Sequence, residues 1–568
     1  MRIREAQLLL FGAPCIMTAR MESHCIPFRE IPHTTKLYSA FLDDFQRISA
    51  FYAHPPTIAG VEAASKQVRL DPAVRRNVVG ILREQNARFS PGNSLDPATA
   101  RNLGRLASGA FAIVTGQQVG LFSGPAYTFY KAISSVRCAE ELSARGIQAV
   151  PVFWLATEDH DLAEVNHVSC VTRNGLARYE LPAKESDAGR RVGEVALGEE
   201  IQSIVGNLSQ SLEGAFAEDV ARALRESYAV GESYGSAFGK LMTCLLAGRG
   251  IIFIDPLDPR FHRLASGVFS HALREAGPLR DALLTRSKEL EHAGYHAQVK
   301  VTSETTLLFM NVNGRREPLR SRNGGFVAGD AECSQDQLLT AIEKTPEIFS
   351  PNALLRPIVQ DTLLPTAAYI GGPAEVAYTA QSQVVYHKIL GRMPAILPRA
   401  SFTIVEQPIA RFLAQYDLEM RDILSGPQHV RARMEQKSLP DAIAGRFDSG
   451  EESIRNLLKS YEEPLSRLDA TLAEALHSSQ EKILHQFSQL KAKVARAENF
   501  RSGVLDRHQR ILLDALHPYG DLQERSLCFL PFLAAYGPDL LNDLSSLSSL
   551  SGSAGDSSCV NQHHILCR

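Results

Sequence analysis

The sequence predicts an α/β protein in which a doubly wound parallel sheet is followed by a long helical, coiled-coil-like segment. Two observations predict this fold. Between residues 108 and 405, short apolar runs alternate with helical segments, which is the pattern of parallel βαβ units. Beyond residue 405, apolar residues recur at steps of three and four, which is the spacing of one face of a helix.

Composition excludes several classes of protein. The chain has 568 residues, of which 44% are hydrophobic and 22% charged, as in ordinary globular proteins. Its 60 basic and 63 acidic side chains leave a net charge of −3, so no overall basic field would attract nucleic acid or an anionic membrane. No apolar run reaches the ~18 residues that a membrane-spanning helix needs. We therefore expect neither a nucleic-acid partner nor a membrane partner.

The nine cysteines are scattered along the chain, and no two of them form a C-x-x-C pair. This distribution predicts reduced thiols in a cytoplasmic protein rather than a disulfide framework. The first twenty residues imitate a signal peptide only faintly, because Gly12 and Pro14 interrupt their apolar stretch and no A-x-A cleavage site follows. The sequence therefore favours the cytoplasm over export.

Five short apolar runs predict the strands of the sheet. They lie at 110–115, 149–156, 250–254, 366–370 and 395–397. Three helices are predicted between them, at 125–145, 234–247 and 374–390. Proline opens the first of these helices and glycine follows it, which is the usual asymmetry of helix ends.

The alternation of strands and helices is interrupted in two blocks, 171–230 and 285–350. We predict that both blocks are insertions that form the walls of a ligand-binding crevice. The second block contains alternating runs at 298–301 and 306–312 beside Asn313-Gly314, which is typical of a β-hairpin. With these insertions, the predicted core domain spans 21–404.

The predicted helical domain spans 405–543. Its apolar residues repeat over 451–498, and Pro464 is expected to break or kink the helix because proline removes one hydrogen bond. The pattern predicts a coiled coil that pairs with another helix of the chain or with a second subunit. An ordinary amphipathic helix in a bundle is the alternative. Serine dominates much of 544–568, which predicts a disordered tail.

The glycine-rich loop after the first predicted strand is the first candidate binding site, because ligands of open parallel sheets bind beyond the carboxyl ends of strands. Its backbone N–H groups, its amides and the following helix N-terminus would suit an anionic or hydroxyl-rich ligand. The candidate residues are Gly116, Gln117, Gln118, Gly124, Tyr127 and Lys131. A tight turn whose glycines serve only geometry is the alternative, since no standard nucleotide fingerprint is present.

The second predicted strand ends in a dense cluster of ionisable groups. Its members are Glu158, Asp159, His160 and Asp161. If they are partly buried, such groups shift one another's pKa values, and they could form a catalytic acid–base cluster toward an amine. His167 follows as a candidate binding residue. Zinc or manganese would also suit these ligand types, but no H-E-x-x-H spacing fixes them, so no metal site is assigned. A solvated acidic loop is the remaining alternative.

Later strand ends add three candidate binding residues. Gly371 and Gly372 precede another helix that opens with proline, and Arg399 could clamp a carboxylate or a phosphate. A surface salt bridge explains Arg399 equally well. Asp255 and Asp258 follow the third strand, where capping of the next helix is at least as good an explanation as contact with a ligand.

The residues at these positions resemble the family of BshC, the cysteine-adding enzyme of bacillithiol biosynthesis. The matching runs are T-G-Q-Q-V-G-L-F-S-G-P-A-Y-T-F-Y-K-A at 115–132, P-V-F-W-L-A-T-E-D-H-D at 151–161, N-H at 166–167, I-D-P-L-D-P-R at 254–260, L-P-T-A-A-Y-I-G-G-P-A-E-V-A-Y at 364–378, L-P-R-A-S-F-T at 397–403 and H-P-Y-G-D-L-Q-E-R at 517–525. They occur in the family's order and cover roughly 21–543. Residues 1–20 and the tail after 543 have no counterpart in it.

The resemblance implies a Rossmann-like core similar to class I aminoacyl-tRNA synthetases and nucleotidyltransferases, with two connecting insertions and a coiled-coil domain that forms a homodimer. It also implies a ligase that joins the carboxyl group of cysteine to the amine of glucosaminyl-malate, the last step of bacillithiol biosynthesis. ATP or ADP is the candidate cofactor, and the sequence does not define the source of activation or a metal requirement.

Two other classes of function compete with the ligase. One is a nucleotide-binding regulatory protein without catalysis, and the other is a coiled-coil scaffold whose α/β crevice is vestigial. Polar residues at four strand ends favour the enzyme, because a scaffold would have no use for them.

Overall fold

The computed structural model describes residues 22–322, 324–437, 441–549 and 561–568. They form two compact units. The first contains His24–Phe402 and Glu524–His564, and the second contains Thr403–Gln523 with Ile565–Arg568. The predicted extension at 1–20 lies outside the described residues. Every helix in the part of the chain that the structure describes is too short or too polar to cross a bilayer.

The strands are numbered in chain order. They are β1 (Glu22–Ile26), β2 (Phe111–Gln117), β3 (Ala149–Leu155), β4 (His167–Thr172), β5 (Gly175–Glu180), β6 (Ile252–Ile254), β7 (Thr305–Val312), β8 (Arg315–Arg322), β9 (Gly325–Ala328), β10 (Ala331–Cys333), β11 (Phe349–Pro351), β12 (Thr366–Gly371), β13 (Ala395–Pro398), β14 (Ser401–Val405) and β15 (His563–Cys567).

The helices of the first unit surround its sheets. Up to β13 they are Lys36–Asp43, Ile58–Ser65, Pro72–Phe89, Pro97–Ala107, Tyr127–Ala144, Leu162–Val165, Glu200–Ser211, Ala217–Ser227, Tyr234–Leu245, Pro259–Arg274, Ala276–His292, Gln335–Lys344, Arg356–Leu363 and Pro373–Ile389. Short helices near the end of the chain are Gln523–Ser526, Leu530–Tyr536 and Asp539–Leu547.

A parallel five-stranded sheet lies at the centre of the first unit. Its strands stand in the order β13-β12-β2-β3-β6, and each neighbouring pair is parallel. The five predicted strands and their parallel arrangement are confirmed. The chain begins this sheet in the middle with β2, extends through β3 to β6, and returns to the other side of β2 with β12. The strand order therefore reverses between β2 and β12, which is where open sheets bind ligands.

The loop that leaves β2 is packed more tightly than a simple turn. Phe122 and Ser123 have left-handed backbone angles, with φ of 49° and 76°, and Gly124 follows with φ of 68°. Phe122 and Ser123 are fully buried. The helix begins at Tyr127 rather than at residue 125, and Pro125 forms an isolated β-bridge with Cys528 instead.

The two predicted insertions contain antiparallel structure. In the first, β4 pairs with β5. In the second, a five-stranded sheet has the order β10-β9-β8-β7-β11, and the predicted hairpin at Asn313-Gly314 is confirmed by the pairing of β7 with β8. Residues 298–301 form no strand. They lie in an irregular segment with turns and bends that leads from the helix Ala276–His292 into β7.

The second unit is helical. Its helices are Gln407–Tyr416, Met420–Leu424, Pro427–Lys437, Asp441–Ser460, Glu462–Leu468, Ala470–Ser502 and Val504–Leu516. The helices Asp441–Ser460 and Ala470–Ser502 form an antiparallel hairpin. The rings of Phe447 and Phe487 lie 5.3 Å apart, and Lys491 Nζ lies 2.7 Å from Asp448 Oδ1. Helical structure is interrupted on both sides of the short helix Glu462–Leu468, which contains Pro464, as predicted.

Two expectations fail near the ends of the chain. The predicted disordered tail is wrong for its last residues, because β15 forms a three-stranded sheet with β1 and β14 and buries Ile565 and Leu566. Composition did not predict this strand, because the serines that suggested disorder all lie before it, between 545 and 558. Reduced thiols are confirmed at Cys138, Cys170, Cys244, Cys333, Cys528 and Cys567, but Cys25 is disulfide-bonded.

Candidate active site

A cavity of about 1030 Å³ opens beyond the carboxyl ends of β2, β3 and β12, where the strand order reverses. Its wall is completed by residues between 299 and 306 and by the β7–β8 hairpin. Among the described residues, the lining cations are Lys131, Lys300, Arg316, Arg320, Arg356, Arg399 and Arg525, and the lining carboxylates are Glu158, Asp159, Glu164, Glu304 and Glu375. The excess of cations suits a ligand that carries carboxylate or phosphate groups.

Lys131 occupies the floor of the cavity between β2 and β12 and is only 4% exposed. Its ammonium donates to Gly116 O at 2.9 Å and to Gln117 Oε1 at 2.8 Å, and it lies 2.6 Å from Glu375 Oε2. Since an ammonium has three N–H groups, each of them has a partner. Lys131 therefore holds the two strand ends together.

Glu375, in the first turn of the helix Pro373–Ile389, completes this pair. Its Oε1 accepts from the Tyr369 hydroxyl at 2.6 Å, and its Oε2 accepts from the Gly372 N–H at 2.7 Å. Burial alone would raise the pKa of Glu375, but the charge of Lys131 and the Gly372 N–H hold it below its ordinary value. Burial lowers the pKa of Lys131, and Glu375 only partly offsets this loss of water.

Arg356 extends the same network toward the cavity. Its guanidinium donates to the Tyr378 hydroxyl at 2.9 Å, the Tyr369 hydroxyl at 3.4 Å and Gln360 Oε1 at 3.0 Å. Its guanidinium carbon lies 5.5 Å from the centre of the Tyr369 ring. These contacts fix a positive charge on the wall beside Glu375.

Arg399 lies in the cavity lining but is committed to the protein itself. It is buried, and it donates to Glu524 Oε2 at 2.9 Å and to Glu524 Oε1 at 2.6 Å. Burial would raise the pKa of Glu524, yet the Arg399 charge holds it below its ordinary value. The alternative of a surface salt bridge is therefore wrong in its location: the pair is buried, and the carboxylate that Arg399 binds belongs to the chain.

At the end of β3, Glu158 and Asp159 face the cavity in different surroundings. Glu158 is only 7% exposed; its Oε1 lies 3.0 Å from His262 Nε2, while its Oε2 has no hydrogen-bond partner among the described residues. Asp159 accepts from Gln118 Nε2 at 2.8 Å, and Gln118 also donates to Glu164 at 2.9 Å. The amide of Gln118 is thus occupied by carboxylates.

His160 follows on the same wall. Its Nδ1 lies 3.1 Å from Nη1 of Arg316, which is itself buried on β8. Arg316 also donates to Ser350 Oγ and to Pro351 O. Through this contact, the second insertion reaches the strand end of the parallel sheet.

The structure brings most of the predicted site residues into one cavity. Those that line it are Gly116, Gln117, Gln118, Tyr127, Lys131, Glu158, Asp159, His160, Gly372 and Arg399. Those that are not part of its lining are Gly124, Asp161, His167 and Gly371.

Each of these four exceptions has a structural reason. Asp161 caps the short helix Leu162–Val165 by accepting from the Glu164 N–H at 3.2 Å. His167 begins β4 and contacts Asn166 Oδ1 at 3.1 Å. Gly124 belongs to the packed loop and lies close to Gly120, while a Cβ on Gly371 would lie 3.0 Å from the Cβ of Glu375. The contacts described for these four residues are with their immediate surroundings.

Sequence reasoning missed several site residues. Glu375 and Tyr369 lie within the run Y-I-G-G-P-A-E, so their position at a strand end could have marked them. His262, Arg316 and Arg356 come from distant segments that carry no local pattern. Among the described residues, no group of three or more His, Cys, Asp or Glu is arranged to hold a metal ion.

Comparison with known families covers almost the whole chain. The model described as bacillithiol biosynthesis BshC, N-terminal Rossmann-like domain, matches 21–400, and the model of the BshC C-terminal coiled-coil domain matches 402–552. Both agree with the fold class predicted from the sequence.

Individual relatives match over nearly their full length. The chain is 40% identical over 521 residues to a protein of Koribacter versatilis named as a BshC cysteine ligase, covering 92% of this chain and 96% of that protein. It is 37% identical over 523 residues to a protein of the same name from Solibacter usitatus, with the same coverage. A Bacillus cytotoxicus protein of that name is 28% identical over 512 residues, covering 88% of this chain and 94% of its own length.

Proposed function

Because the chain belongs to the BshC family of bacillithiol biosynthesis, we propose that it is a ligase that forms an amide bond between the carboxyl group of cysteine and the amine of glucosaminyl-malate. One observation carries the proposal most directly. A single cavity at the reversal of strand order combines accessible carboxylates at the end of β3 with a cationic wall. Amide formation needs both, since an ammonium must lose a proton and carboxylates must be bound.

Glu158 is the best candidate for the base that accepts the proton of the amine. Glu158 is 7% exposed and lines the cavity, and its Oε2 has no hydrogen-bond partner in the described part of the chain, while His262 lies 3.0 Å from Oε1. A carboxylate fixed on one side and open on the other can bind an ammonium and accept a proton from it. Asp159, whose oxygens accept from Gln118 and from the His160 N–H, adds negative charge beside it.

The cations of the cavity wall would bind the malyl carboxylates. Arg356 is fixed by two tyrosines and presents its charge to the cavity. Arg320 and Lys300 come from the second insertion and are exposed. Arg399 contributes positive charge but not a bidentate contact with the substrate, because its guanidinium already donates to both oxygens of Glu524. A dicarboxylate is therefore a better match for this wall than a neutral sugar.

We also propose that ATP supplies the energy for activating the cysteine carboxyl group. A cavity of about 1030 Å³ with exposed cations on its insertion side fits a triphosphate, and Lys300 and Arg320 are the residues that would hold it. The chain lacks the glycine-rich phosphate fingerprints, so side chains rather than a backbone cradle would carry this binding.

The helical hairpin of the second unit supports a homodimer. Leu457 is 58% exposed and Leu468 is 77% exposed, and Ile483 and Leu490 also show large apolar surfaces to solvent. Large apolar side chains exposed on several neighbouring helices usually mark an interface, and homo-oligomers are the commonest solution. Light scattering should give twice the chain mass at micromolar concentration, and Leu457→Glu combined with Leu490→Glu should halve it. A wild-type monomer would contradict the dimer.

The decisive experiment mixes purified protein with cysteine and glucosaminyl-malate, with and without ATP, and detects bacillithiol by mass spectrometry. Product that depends on protein and on ATP is the expected result. Glu158→Gln is the matched control, because it preserves shape and removes the charge. Binding of the substrates without product would instead indicate a regulatory protein, and neither binding nor product would indicate a scaffold.

A further inference from the structure

We propose that His160 acts as a neutral hydrogen-bond donor toward the substrates, and that Arg316 is a positioning residue that holds its ring in that form. The substrate oxygen that receives this hydrogen bond rests on the proposed function. The state of the ring does not, because it follows from contacts within the protein alone.

The Arg316 guanidinium is fixed on every side. It is 9% exposed, its Nε donates to Ser350 Oγ at 2.9 Å, and its Nη2 donates to Pro351 O at 2.8 Å. Its guanidinium carbon lies 3.7 Å above the centre of the Phe309 ring. The remaining nitrogen, Nη1, is aimed at His160 Nδ1 at 3.1 Å. Arg316 therefore has little freedom to turn away from the imidazole.

This contact determines the tautomer of His160. A guanidinium can donate hydrogen bonds but cannot accept them, so His160 Nδ1 must present its lone pair. In a neutral imidazole with an unprotonated Nδ1, the proton is on Nε2. Adding a second proton at Nδ1 would turn two N–H groups of like charge toward each other at 3.1 Å.

Asp159 is the group that could favour the opposite state. Its Oδ1 lies 3.6 Å from His160 Nδ1, which is beyond hydrogen-bond distance. That oxygen already accepts from the backbone N–H of His160 at 2.7 Å, and the other oxygen accepts from Gln118. Of these two groups, only the Arg316 guanidinium lies within hydrogen-bond distance of His160 Nδ1.

The remaining charges around Arg316 keep its guanidinium protonated. Burial lowers the pKa of Arg316, while Glu158 and Asp159 oppose this effect and Arg191 adds to it. Because an arginine starts far above neutral pH, such a shift leaves it charged. The donor that faces His160 thus persists across the working pH range.

The free nitrogen of His160 then points to a donor role. The side chain is 38% exposed and lines the cavity, and its Nε2 has no partner among the described residues. When the amine nitrogen bonds to the carbon of the ATP-activated cysteine carboxyl group, the electron pair of the C=O bond moves onto oxygen. The charge stays there until the pair re-forms the C=O bond and expels the phosphate-bearing leaving group. A fixed N–H stabilises that charge, whereas a protonated Nε2 has no lone pair with which to accept the amine proton. The proton goes to Glu158 instead.

The first test needs no substrate. Histidine-labelled protein is examined by ¹⁵N NMR, with His160→Gln used to assign the signal. We expect an unprotonated Nδ1 and a protonated Nε2 in the wild type, because the Arg316 guanidinium faces Nδ1. In Arg316→Met, which removes this donor, both neutral tautomers should be populated. A protonated Nδ1 in the wild type, or an unchanged tautomer in Arg316→Met, would overturn the proposal.

The second test separates a donor from a base. The amide nitrogen of His160→Gln can take the place of Nε2, whereas that of His160→Asn falls near Nδ1. We expect Gln to keep kcat within about tenfold and Asn to lose on the order of 10²–10³-fold, with KM little changed and both limbs of the pH profile retained in Gln. Loss of a pH limb in His160→Gln would show a base and overturn the donor role. If the wild type forms no amide, the proposed function fails while the NMR result still decides the ring state.

Discussion

The ends of β12 and β3 open into the same cavity, yet their polar groups are used in opposite ways. Beyond β12, Glu375 is bonded to Lys131, Tyr369 and the Gly372 N–H, and Lys131 is bonded in turn to the end of β2. Beyond β3, Glu158 keeps one carboxylate oxygen without a partner, and His160 keeps one nitrogen without a partner, among the described residues. The polar groups named beyond β12 are thus bonded to protein partners, whereas two of the groups beyond β3 keep an atom without one among the described residues.

This difference distinguishes polar groups that stabilise the fold from polar groups that are available for catalysis. A buried polar network with every group satisfied rigidifies its surroundings, and it becomes costly when one member is removed. Groups with unsatisfied, accessible atoms contribute less to the fold and remain available to substrates. We therefore expect substitutions at the β12 end to affect mainly stability and substitutions at the β3 end to affect mainly activity.

The largest effect is expected for Glu158→Gln. The variant keeps the contact with His262 but cannot accept a proton, so turnover should fall by about 10²–10⁴-fold. The melting temperature should change little, because one oxygen of Glu158 has no partner to lose. Steady-state kinetics and calorimetry on the same preparation check both halves of this expectation. A large loss of stability with normal turnover would reverse the comparison.

Glu375→Gln is the matching change at the β12 end. It leaves the ammonium of Lys131 buried beside a neutral amide, and breaking a buried pair in this way costs about 3–5 kcal/mol of unfolding free energy. Urea denaturation measures this loss. Combining Glu375→Gln with Lys131→Met removes the unpaired charge and should restore part of the stability. A loss below about 1 kcal/mol in the single variant would show that the network is not structural.

The same pair predicts a pH dependence of stability. The folded pKa of Glu375 lies below its ordinary value of 4.5. Its ionised form therefore stabilises the fold above the unfolded pKa, and this contribution is lost as pH falls through the folded pKa. The stability difference between wild type and Glu375→Gln should be full above about pH 5 and shrink on acidification, as measured by denaturation at several pH values. A difference that grows at low pH would contradict this sign.

Sequence reasoning located the sheet and the cavity but could not assign most partners. Strand ends follow from local apolar runs, and the reversal of strand order brings Gly116 and Gly372 to the same place. The contacts of Arg316 and Arg356 depend on how an insertion folds back over the sheet, and no local spacing encodes that. Arg399 illustrates the limit, since its partner Glu524 lies 125 residues away along the chain.

The cluster from 158 to 161 shows the same limit within four residues. Because the four charged residues are adjacent, the sequence predicted one cluster. The chain turns after His160, however, and only the first three side chains line the cavity. Asp161 is exposed and caps a helix of four residues instead. Adjacent residues at a strand end can thus face different environments, and composition alone does not distinguish them.

The smallest effect is therefore expected for Asp161→Asn. This variant tests whether Asp161 is separate from the three residues of the cluster that line the cavity. Asparagine caps helices about as well as aspartate, so the bond from the Glu164 N–H can persist and stability should stay within about 0.5 kcal/mol. Because Asp161 does not line the cavity, turnover should stay within about threefold of wild type, under 1 kcal/mol of barrier. Kinetics measured beside Glu158→Gln make the two carboxylates each other's control. A tenfold or greater loss of turnover in Asp161→Asn, with the fold intact, would return this residue to the reacting cluster and show that the loop rearranges when substrates bind.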